Sequence, residues 1–66
     1  MTDYKIEPDE RAILALQRVA GARVHEANGT IHTYKLACCV GDEARAEAAK
    51  REMWRLAVMI QREQAA

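Results

Sequence analysis

Arg23-Val24-His25-Glu26-Ala27-Asn28-Gly29-Thr30-Ile31-His32-Thr33-Tyr34-Lys35-Leu36-Ala37 is the stretch on which the fold of this 66-residue chain turns. Its centre is Asn28-Gly29, two residues that both tolerate positive φ. Such a pair between two short runs is a strong local signal for a tight β-hairpin. Thr30, Ile31, Thr33 and Tyr34 favour extended backbone. The spacing therefore predicts a hairpin over about residues 23–37. Alternation along both runs is weak, so the register and the buried face stay open.

On the N-terminal side, Ile6-Glu7-Pro8-Asp9-Glu10 reads as a helix start. Proline lacks the N–H that a first turn would orphan, and the acids suit the positive end of the helix dipole. Ile13, Leu16 and Ala20 then share a face, and Gly21 is a stop signal. A helix over about 8–20 is expected, with residues 1–5 frayed. On the C-terminal side, Asp42 is a good N-cap. From Glu43 to Gln64 there is no Gly or Pro, and Ala46, Ala49, Met53, Leu56 and Ile60 recur three and four apart. That pattern predicts a long helix over about 43–64 with its core face on this stripe. The expectation is an α+β fold, helix–β-hairpin–long helix, forming one small domain over 1–66.

Ten basic and ten acidic residues balance, and half of the chain is apolar. This composition argues against a disordered tail and against broad attraction to nucleic acid or anionic lipid. No apolar run approaches a membrane span, and no secretory leader is evident, so no membrane partner and a cytoplasmic setting are expected. Cys38 and Cys39 are adjacent. A bond between neighbours closes a strained ring, so both are read as reduced thiols. A domain this small is marginal alone, which favours association with a second subunit.

The long helix suggests where. Trp54 and Val58 lie about 100° around from Met53, with Met59 nearby, and form a second apolar strip. Either the hairpin packs there, or Met53, Trp54, Val58 and Met59 make a partner or dimer interface, for instance between antiparallel copies of the helix. Arg51, Arg55 and Arg62 form a stripe away from the core face. They suit an acidic protein surface or phosphate, or are simply solvated beside Glu47 and Glu52.

A two-residue turn would set His25 directly across from His32, with Cys38 or Cys39 as a further metal ligand. Neither histidine has a zinc-site spacing, and adjacent cysteines are not C-x₂-C, so no metal and no cofactor are expected. A cysteine nucleophile lacks an oriented base. Phosphate-loop, dinucleotide and H-E-x-x-H motifs are absent. No enzyme is expected.

The helix–hairpin–helix order, with Arg23-Val24 and the Asn28-Gly29 turn, resembles the small head-to-tail joining proteins of tailed phages. A strand followed by Gly41-Asp42 and an Ala/Glu-rich helix is similar to HicB-type antitoxins. A strand before an Ala-rich helix is also similar to double-stranded-RNA-binding domains, but their lysine cluster at that helix start is replaced here by Asp42 and Glu43. The functional expectation is a non-enzymatic protein-binding module, a small inhibitor or regulator of a larger partner. Its size fits a phage or mobile-element accessory protein acting, anti-CRISPR-like, on a host defence complex. The alternatives are a dimeric nucleic-acid-binding regulator and a structural subunit of a phage-type assembly.

Overall fold

The computed structural model describes residues 4–65, and every regular element among them is helical. Helix α1 spans Glu10–Ala20, a short 3-10 turn covers Gly21–Arg23, α2 spans Val24–Val40 and α3 spans Glu43–Ala65. The expected β-hairpin over 23–37 does not exist, and the α+β class is replaced by an all-helical one. Asn28 and Gly29 sit within α2 as ordinary helical residues.

The physical reason lies in a second periodicity of the same stretch. Ala27, Ile31, Tyr34 and Cys38 are spaced four, three and four apart, and all are buried. That is one face of an α-helix. Burying those side chains outweighs the turn preference of two residues, which costs a helix about 1 kcal/mol for the glycine. The threonines are accommodated without a strand: the Thr30 hydroxyl donates to the Glu26 carbonyl at 3.2 Å and the Thr33 hydroxyl to the Gly29 carbonyl at 3.1 Å. The resemblances that leaned on a strand or hairpin in this region lose that element.

The helix expected from about residue 8 opens at Glu10. Asp9 is its N-cap and accepts from the amides of Arg11 and Ala12, with Pro8 buried just before it. Helix α1 ends at Gly21, whose φ of 52° and ψ of −123° suit only glycine well. The chain then doubles back. The Asp9 amide donates to the Tyr34 hydroxyl at 2.7 Å, so the start of α1 lies beside the second half of α2. Helix α2 ends in a Schellman motif at Gly41, with φ at 79°: the Gly41 amide reaches the Cys38 carbonyl and the Asp42 amide the Ala37 carbonyl. Asp42 caps α3 by accepting from the Arg45 amide.

Both α1 and α2 pack along α3, and α1 leans more on α3 than on α2. Lys50 meets Asp9 near the start of α1, and Gln64 donates to the Val19 carbonyl near its end. Helix α1 therefore runs parallel to α3, with α2 antiparallel to it. The result is a three-helix bundle, 39 Å in its longest dimension, built on α3. Its core joins Ala12, Ile13, Leu16 and Ala20 to the buried face of α2 and to Ala46, Ala49, Met53, Leu56, Ala57 and Ile60 of α3. Nearly half of these side chains are alanine, which lets the helix axes approach closely.

Of the N-terminal residues expected to fray, Met1, Thr2 and Asp3 lie outside the described part. Tyr4 packs against the core, and the amides of Lys5 and Ile6 both donate to the Cys38 carbonyl. This segment is held against the end of α2.

Candidate functional site

Helix α3 buries one face and leaves the opposite one in water. At 100° per residue its buried stripe faces α1 and α2, and the outward arc carries Glu47, Arg51, Trp54, Arg55, Val58 and Arg62. Trp54 is 43% exposed, Val58 44% and Met59 39%. The expected interface set is thus divided. Met53 is 1% exposed and belongs to the core, whereas Trp54, Val58 and Met59 sit together outside it. No element among the described residues covers this strip, since the stretch expected to form a hairpin is spent as α2 against the core face.

Trp54, Val58 and Met59 line one shallow groove with Arg55, Arg62 and Glu63. Arg55 and Arg62, expected in a separate stripe with Arg51, therefore share a surface with the apolar strip. Arg55 approaches Glu52 at 3.9 Å, a loose pair on an exposed surface worth little. Arg51, Arg62 and Glu47 take part in no ion pair among the described residues. The groove offers apolar area bordered by guanidinium groups, a composition typical of protein-contact cores. Arginine stems also pack along apolar surface while their heads stay wet.

The proposed histidine pair is not formed. His25 and His32 are both exposed on α2, seven residues and about 10 Å apart along its axis, rather than facing each other across strands. Cys38 is fully buried and Cys39 is exposed; both are free thiols. No group of three or more His, Cys, Asp and Glu is placed to hold a metal ion among the described residues.

One polar cluster connects the elements. Lys50 of α3 approaches Asp9 at 3.0 Å, and Asp9 caps α1 while its amide donates to Tyr34 of α2. The Lys50 ammonium, and then the Ala12 amide, hold the Asp9 carboxyl below its ordinary value, and Asp9 in turn raises Lys50. Burial raises the Tyr34 hydroxyl. These contacts tie three helices together at one end.

Two features escaped the sequence reading. Leu36 and Val40 are exposed four apart on the outer face of α2, a spacing that becomes a helical face only once α2 is known to be a helix. Arg55 and Arg62 also lie within about 100° of Trp54 on the helical wheel, which places them beside it and not on another side of the helix. No helix among the described residues is long and apolar enough to cross a membrane. No protein-family model, curated protein or solved structure matches the chain.

Proposed function

We propose that this chain is a non-enzymatic protein-binding module whose contact surface is the outer face of α3. The carrying observation is the joint exposure of Trp54, Val58 and Met59 on one rigid helix, bordered by Arg55 and Arg62. The buried core cluster contains none of these side chains, and each leaves about two fifths of its surface in water. Trp and Arg are the residue types that most often dominate binding energy when covered by a partner. The module would act by occupying a protein surface, the mode expected of a small regulator.

The test uses the chain as bait, with recovered proteins identified and their binding re-measured in purified form. Trp54→Ala and Val58→Glu are expected to weaken that binding at least about tenfold for each 1.4 kcal/mol lost, and to leave the thermal midpoint nearly unchanged because both sites are exposed. Binding that survives both substitutions in a folded protein would refute the assignment.

A further inference from the structure

We infer that the occupant of the α3 outer face is a second copy of this chain, laid antiparallel across it. The inference rests on the reading of that face as a protein contact and adds the partner's identity. It comes from how charge and bulk are divided along the helix. The N-terminal half of the face carries Glu43 and Glu47 with the small Ala44 and Ala48. From Arg51 onward the face carries Arg51, Arg55 and Arg62 with the bulky Trp54 and Val58. A two-fold axis near the middle of the helix sets Glu47 and the small Ala48 of this acidic end against Arg62 and the bulkier Val58 of the second copy. An isologous contact needs such a self-complementary patch.

One register satisfies the pattern in detail. Placing Glu47 opposite the second copy's Arg62 centres the axis between Trp54 and Arg55. Trp54 then meets the second copy's Arg55, an indole–guanidinium stack. Arg51 lays its stem along the second copy's Val58, and Ala48 falls between Val58 and Arg62 of the second copy. Each of these contacts occurs twice. Within one chain, Glu47 and Arg62 are about 22 Å apart along the helix axis, too far to pair. Both are exposed, and neither takes part in an ion pair among the described residues, so both are available for this one.

That separation makes the test specific. Sedimentation equilibrium of the full chain at low ionic strength is expected to give twice the chain mass at high concentration, with dissociation on dilution and on adding salt. Glu47→Arg alone and Arg62→Glu alone each set like charges face to face. Each is expected to weaken the dimer roughly tenfold or more. The double variant, Glu47→Arg with Arg62→Glu, restores the pairing in reversed sense and is expected to dimerise like the wild type. Helix content by circular dichroism is recorded for all three, as both positions are exposed. A wild-type monomer at the highest attainable concentration overturns the proposal. A dimer indifferent to the charge reversals, or one that both single changes weaken without rescue, overturns it as well. If the chain is monomeric while bait binding still depends on Trp54, the second copy is excluded and the outer-face reading survives.

Discussion

Gly29 shows what a single residue can conceal. It lies inside α2 with its Cα facing water, and a β-carbon added there would meet nothing within 4 Å. Gly29→Ala removes the entropic cost of an unsubstituted helical residue and meets no obstacle. It is expected to stabilise the fold by about 1 kcal/mol, or about 4–8 °C in thermal midpoint for a domain of this size, measured by circular dichroism at 222 nm. A β-hairpin turning at Asn28-Gly29 would respond in the opposite direction, because the turn needs positive φ. Gly41 is the contrasting case: its φ is 79°, and a β-carbon there would crowd Lys5 at 3.2 Å. The misreading of residues 23–37 follows from this residue-level ambiguity. A turn signal is local and visible in two letters, whereas the competing signal, Ala27-Ile31-Tyr34-Cys38, counts only if a second surface exists to bury it. Alanine and cysteine also register weakly as core residues, so half of that stripe was easily overlooked.

At the scale of elements, α1 and α3 were legible because their stripes combine large residues with clear ends. Ile13 and Leu16 are buried beneath the Asp9 cap, and Met53, Leu56 and Ile60 lie in a helix without Gly or Pro. What the cap does beyond ending a helix was not legible, since Lys50 and Tyr34 are distant in sequence. Asp9 joins α1 to α3 through Lys50, and its lowered carboxyl value gives this junction a pH signature. A carboxylate held below its ordinary 3.8 stabilises the fold fully above that pH. The contribution is lost as pH falls from there through the lower native value. Asp9→Asn keeps an N-capping side chain but removes the charge. Urea denaturation from pH 2 to pH 6 is expected to show the variant less stable than wild type at the upper end, with the two converging at the lower. A constant gap across that window would show that the Asp9 charge contributes nothing. The exposed strip of α3 was half legible. Its apolar members stood out by spacing, but whether another element covers them depends on the path of residues 23–37, the part that was misread.

At the scale of the whole molecule, the fold depends on the reversal between α1 and α2, and the short turn at Gly21–Arg23 makes it. Ala20 and Val24 on either side are helical; between them Gly21, at φ 52° and ψ −123°, departs furthest from helical angles, and Arg23, at φ −95° and ψ 23°, departs less. Were this turn to adopt helical angles throughout, α1 and α2 would run on as one rod, and α1 would leave its seat on α3. Since α1 leans mainly on α3 rather than on α2, the vacated seat has the right shape for α1 of another molecule. The bundle is therefore a rearrangement of one short turn away from trading α1 between chains. Gly21→Ala tests this. Space is no obstacle, as the added carbon meets only the Gln64 amide at 3.7 Å, but φ of 52° is unfavourable for alanine. The variant is expected to populate a domain-swapped species that forms on refolding at high concentration and separates slowly on dilution. Its dissociation, unlike that of a surface contact, would proceed at the rate at which the helices themselves come apart.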